Sequence, residues 1–132
     1  MNQQSTIDFL NNKFNLGLIG CDNEYSDFDA ENKNYIVEVK NRRKFYDEKL
    51  VECMKLFKNY QNAQLKGKDF LYVVTDNKGI YIFNLSKNID SVISTNIVKT
   101  KQPKTTDFNT KGKIVKYVYI LNINLCSQII NL

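Results

Sequence analysis

The chain has 132 residues, 19 of them Lys or Arg and 14 Asp or Glu, for a net charge of +5, and it holds no histidine. That length fits one domain, residues 1–132, with a core of its own, and 42% hydrophobic with 25% charged residues is the balance of an ordinary globular protein. The missing histidine excludes His-dependent nucleases, Ser-His-Asp triads and His-ligated zinc. No apolar run approaches the roughly 18 residues of a membrane span, and the first six residues lack the basic and apolar regions of a signal peptide, so a cytoplasmic or other intracellular location and no membrane partner are expected. The positive charge is compatible with a polyanionic partner. Cys21, Cys53 and Cys126 are widely spaced and form no CxxC pair, so buried free thiols are the simpler reading.

In chain order, Ser5 or Thr6 can cap a first helix with Asp8 in its first turn. Ile7, Leu10 and Phe14 give that helix an apolar stripe, and Gly17 suits its end. A loop containing Gly20 leads into a hairpin of residues 25–30 and 35–41, followed at once by Arg42, Arg43 and Lys44. Asp47 is read as the cap of a longer helix reaching to about Lys66 and closed by Gly67, with Leu50, Met54, Phe57 and Tyr60 as its buried stripe. Residues 70–74 and 80–84 read as strands joined by a turn at Asp76 to Gly79. Residues 86–112 are polar and less regular. Residues 114–123 alternate, with Val115, Tyr117, Tyr119 and Leu121 on one side, and the apolar tail 128–132 is expected to dock on the body. The result is an α+β or mixed α/β domain with a central mixed sheet flanked by helices and a β-rich C-terminal extension.

The hairpin carries the chemistry. Ile36, Val37 and Val39 form a strand, yet Glu38 and Lys40 interrupt it, both on one face because strand side chains alternate. Charges seldom enter a core unpaired, and a divalent metal held by acids would account for them. With residues 31–34 as the turn, Ala30 lies opposite Tyr35, Asp29 opposite Ile36 and Asp27 opposite Glu38. Asp27, Asp29, Glu38 and Lys40 then share a face. The competing reading is a partly exposed ion-pair ladder of Asp27, Glu38 and Lys40.

Helix, acidic hairpin, Glu38-x-Lys40, basic residues, helix and strand hairpin in this order resemble the PD-(D/E)XK nuclease superfamily over roughly residues 5–84. The resemblance implies an αβββαβ core and Mg²⁺- or Mn²⁺-dependent hydrolysis of phosphodiesters. It implies that Asp29 and Glu38 hold the metal, that the Val39 carbonyl is a further ligand, and that Lys40 handles the attacking water or the phosphorane. No proline precedes the acid here, and Asp27 competes with Asp29. A first-helix acid often joins such sites, for which Asp8 is the candidate, and Glu24 could approach from the loop. Lys55, Lys58 and Gln61 compete for the basic or amide position of the second helix.

The expectation is therefore a Mg²⁺-dependent deoxyribonuclease, an endonuclease acting on a junction, flap or nick, with RNA not excluded as substrate. Two-strand cutting by so small a unit would need a second active site, which a homodimer would supply. Arg42, Arg43 and Lys44, with Lys55 and Lys58, are the expected DNA contacts, against the alternative of solvated surface. The rival function is a non-catalytic nucleic-acid-binding or assembly protein on the same fold.

Overall fold

The computed structural model describes residues 1–21, 26–103 and 113–131. The first helix, α1 (Gln3–Phe14), is capped by Asn2 rather than by Ser5 or Thr6. The Asn2 side chain accepts from the Ser5 N–H, and the Ser5 hydroxyl answers with a bond from the Asn2 N–H, a reciprocal capping box. Ile7 and Leu10 are buried and Phe14 packs beside them, the stripe expected.

Short strands β1 (Ile19–Gly20) and β2 (Ala30–Glu31) lead to β3 (Tyr35–Asn41), whose bounds are those read from the sequence. The turn differs. Asn32 and Tyr35 close it: the Asn32 N–H bonds to the Tyr35 carbonyl, and the Asn32 side-chain oxygen accepts from the N–H groups of Asn34 and Tyr35. Two residues, Lys33 and Asn34, are left at its tip, so Ala30 pairs with Val37 and Glu31 with Ile36. The expected register is corrected by two positions. The parity survives and the partners change.

The expected long helix is also corrected. Residues 48–52 form strand β4 (Glu48–Glu52), and α2 (Cys53–Lys66) follows it directly. Leu50 belongs to the strand, Met54 is 69% exposed and Phe57 46% exposed; the helix buries Cys53, Leu56, Asn59 and Ala63 instead. Gly67 closes it in the left-handed conformation at φ 67°, as glycine without a Cβ readily does.

Strands β5 (Asp69–Thr75) and β6 (Gly79–Asn84) are joined by the turn at Asp76, whose carboxylate accepts from the N–H groups of Lys78 and Gly79. A short helix α3 (Ile89–Ile93), strands β7 (Val98–Pro103) and β8 (Lys113–Asn122), a 3-10 turn (Ile123–Leu125) and strand β9 (Gln128–Asn131) complete the described chain.

The architecture is a mixed α+β arrangement. A six-stranded sheet runs β1-β2-β3-β5-β6-β9, with β3 and β5 parallel and its other pairs antiparallel, and a separate antiparallel sheet runs β4-β8-β7. One face of the large sheet buries Val37, Val39, Leu71, Val73, Ile80 and Ile82 against α1; the other buries Ile36, Phe70, Tyr72, Val74, Tyr81 and Phe83 against α2 and the second sheet. The tail docks as expected, through β9 on β6. A Cβ on Gly79 would run into the Ile130 carbonyl, so only glycine lets β9 approach there.

Lys49 ties the two sheets together. Its ammonium lies 2.8 Å from Asp76, both side chains almost wholly buried, and it sits over the rings of Phe45 and Tyr81 at 4.4 and 4.2 Å. Lys49→Met would leave the Asp76 carboxylate buried without its counter-charge. A loss of about 3 kcal/mol in unfolding free energy, measured by urea denaturation, is the expected outcome.

Candidate functional site

Glu38 is 6% exposed, on the third strand of a sheet covered on both faces. Its side chain projects with Ile36 and Lys40 toward α2 and the second sheet, because alternate residues of β3 share a face. Tyr72 is its neighbour on β5 and donates a 2.9 Å hydrogen bond to the Leu50 carbonyl, pinning β4 against this face. Glu38, Lys40, Arg42, Leu50, Val51, Glu52, Lys55, Tyr72 and Val118 line the resulting cleft.

With Ala30 paired to Val37, the next step along β2 brings Asp29, not Asp27, to Glu38. Asp29 is held in three ways. Its N–H bonds to the Val37 carbonyl, its carbonyl accepts from Cys21, and one carboxylate oxygen accepts the Val39 N–H at 2.7 Å. The Asp29 and Glu38 carboxyls are close enough to act on each other's ionisation. Burial and the adjacent Asp29 charge push Glu38 up to about 7. Burial raises Asp29 too, against the opposing Val39 hydrogen bond and the Lys55 charge.

Cations surround the pair. Lys55, at the start of α2, lies 3.2 Å from Glu38 with about half of its side chain exposed. Burial opposes its charge, but Glu38, Glu52 and Asp29 together outweigh burial and hold its pKa above the usual lysine value. Lys40 responds in the other direction: burial and then the charges of Arg42 and Lys55 pull it down to about 8. Glu52, on the opposite wall, is buried in part, yet Lys116 from β8 at 2.7 Å holds its pKa below the usual range.

The structure therefore gathers Asp29, Glu38, Lys40, Arg42 and Lys55. Asp27 is exposed, away from the position opposite Glu38 that the sequence assigned it. Lys58 and Gln61 are exposed and do not line the cleft, nor do Arg43 and Lys44. Asp8 is engaged by Gln4 on the exposed side of α1, and Glu24 lies outside the described residues. Glu52 and Tyr72 are polar cleft residues that sequence reasoning missed as site groups, as it missed Lys116, the partner of Glu52. Glu52 was hidden inside the supposed helix, and Lys116 carried no local signal beyond its charge.

The donor set suits a hard divalent cation. Asp29 and Glu38 offer two neighbouring, partly desolvated carboxylates, and Mg²⁺ binds through one or two carboxylates while keeping several waters. The Val39 carbonyl leaves β3 on the same edge as its N–H, which faces Asp29, so it can serve the same site. Among the described residues there is no cluster of three or more Asp, Glu, Cys or His side chains, so carbonyl and water oxygens would have to complete the shell. Comparison of the chain with protein families, curated proteins and solved structures finds no match in any of the three. No helix among the described residues is long and apolar enough to cross a membrane.

The raised Glu38 pKa has a stability consequence for the metal-free protein. A carboxyl that holds its proton more tightly when folded contributes stability that is full below the ordinary 4.5 and lost as pH rises through about 7. Thermal midpoints should fall between pH 5 and pH 7.5, the slope should flatten in Glu38→Gln, and Mg²⁺ should raise the wild-type midpoint more at pH 7.5 than at pH 5. A metal response equal at both pH values, or retained in Glu38→Gln, would contradict the assignment.

Proposed function

We propose that the protein is a Mg²⁺- or Mn²⁺-dependent endonuclease that hydrolyses DNA phosphodiester bonds at this cleft, with the core of a PD-(D/E)XK nuclease. One observation carries the reading: the hairpin register brings Asp29, anchored by the Val39 N–H, opposite the buried Glu38 on the same face as Lys40. Burial of like charges costs stability, and a fold that needed only stability would gain by placing apolar side chains there.

The groups divide the work by their chemistry. Asp29, Glu38 and the Val39 carbonyl would hold the cation, which when bound neutralises charge on the phosphoryl oxygen and activates water. Lys40, with its pKa drawn down to about 8, keeps a share of free amine near neutral pH. It can take a proton from the attacking water or, protonated, donate hydrogen bonds to the phosphorane. Lys55 and Arg42 face the cleft beside it and supply positive charge for a phosphate oxygen. Tyr72 acts by position alone, since burial raises its pKa far from any proton-transfer role.

Lys40→Ala provides the test. Its side chain opens to the cleft rather than filling the core, so thermal stability and DNA affinity should change little. Metal-dependent nicking should fall by about 10²-fold or more, the scale for a group acting mainly in the transition state. Unchanged nicking with reduced stability would assign the face to structure and favour a non-catalytic binding protein.

A further inference from the structure

Strand β8 serves two structures in turn. Residues 118–122 pair with β4 and build the wall of the cleft, where Val118 is a lining residue. N-terminal to Val118 the ladder to β4 ends, and residues 113–117 pair with β7 alone among the described residues. The result is a two-stranded ribbon continuous with the cleft wall. Its Ile114, Val115 and Tyr117 are 43%, 54% and 53% exposed. Ile114 and Val115 are neighbours on opposite faces of the strand, so among the described residues both faces of the ribbon are exposed at these positions.

Its charge is all of one sign. Lys99, Lys101, Lys113 and Lys116 lie on the two strands, which contain no carboxylate. Lys116 is already committed to Glu52 at the cleft. Lys99 stands opposite Tyr117 with its ammonium 5.8 Å from the ring centre, and Lys101 stands opposite Val115 in the register. The exposed Lys99 against an aromatic ring, with further lysines in the sequence of the same two strands, matches the phosphate walls of a nucleic-acid groove better than an apolar protein surface.

We infer that the β7–β8 ribbon is a DNA arm, which enters the major groove of a duplex and sets a backbone phosphate at the mouth of the cleft. Two strands about 4.8 Å apart fit, with their side chains, a B-form major groove about 12 Å wide. The deep, narrow major groove of duplex RNA would not admit them. Delivery of the phosphate to Glu38 rests on the nuclease reading above; binding by the ribbon does not, and the two are measured separately.

The test uses the full chain and its Lys99→Glu/Lys101→Glu variant, neither residue being part of the cleft. Binding is measured on a labelled DNA duplex across a salt series, and metal-dependent hydrolysis on bis(p-nitrophenyl) phosphate, a diester too small to reach the ribbon. The variant should lose about tenfold or more in duplex affinity, with a salt slope smaller by about 2, while hydrolysis of the small diester stays unchanged. Wild-type duplex affinity in the variant would overturn the arm and leave the nuclease standing. Equal affinity for duplex RNA would also overturn it. So would a dimer that Tyr117→Arg dissociates without loss of DNA affinity, which would make the ribbon a contact between copies of this chain. Ribbon-dependent duplex binding without diester hydrolysis would support the arm and remove the nuclease reading.

Discussion

The rest of the molecule is arranged around a carboxylate kept inside a sheet. Glu38 sits in mid-strand between two paired neighbours, where a valine or isoleucine would be the ordinary occupant. Two neighbours set its charge: the Lys55 ammonium at 3.2 Å favours the carboxylate, and Asp29, with burial, favours the protonated acid. Each comes from a different element, so the fold must bring β2 and the first turn of α2 to one point of β3. The same burial that raises Glu38 lowers Lys40, two residues along the same face. Desolvation thus drives an acid and a base on one face toward the same pH range from opposite sides.

The second sheet makes a cleft out of what would otherwise be an open face. Tyr72 holds β4 by its backbone, and the buried Lys49–Asp76 pair fastens the same strand to the β5–β6 turn. Beside this tie run the residues from Arg42 to Tyr46, with Phe45 under the ammonium groups of Lys49 and Lys78. Arg42 leaves the large sheet through a bond from its N–H to the Thr75 carbonyl and reaches the cleft, whereas Arg43 and Lys44 turn outward. Three consecutive basic residues therefore occupy two environments, which their adjacency alone does not reveal.

Some elements were legible because their signals are local. The alternation of β3, the turn chemistry of Asp76 to Gly79 and the stripe of α1 all lie within short windows, and the structure has them where the residues put them. The segment from Asp47 to Lys66 was misread because apolar residues at 50, 54 and 57 satisfy a helical period. Val51 and Lys49, buried in alternation with half-buried Leu50, follow the strand period instead. What selects the strand is pairing with residues 118–122, some seventy positions away. Met54 and Phe57 are left on the outer side of α2 once β4 exists.

The sequence by itself determined which residue types share the face of β3, because parity along a strand is a property of the backbone alone. Glu38 and Lys40 had to project together, and any in-parity hairpin had to offer an aspartate to them. Only the tertiary structure decided which aspartate. The Asn32 side chain closed the turn around Lys33 and Asn34, moved the register by two, and chose Asp29 over Asp27. Only the tertiary structure brought in Glu52, Tyr72 and Lys116, whose places depend on ladders between distant segments. Pairing of that kind is fixed by the burial of whole faces, a condition no short window of residues contains.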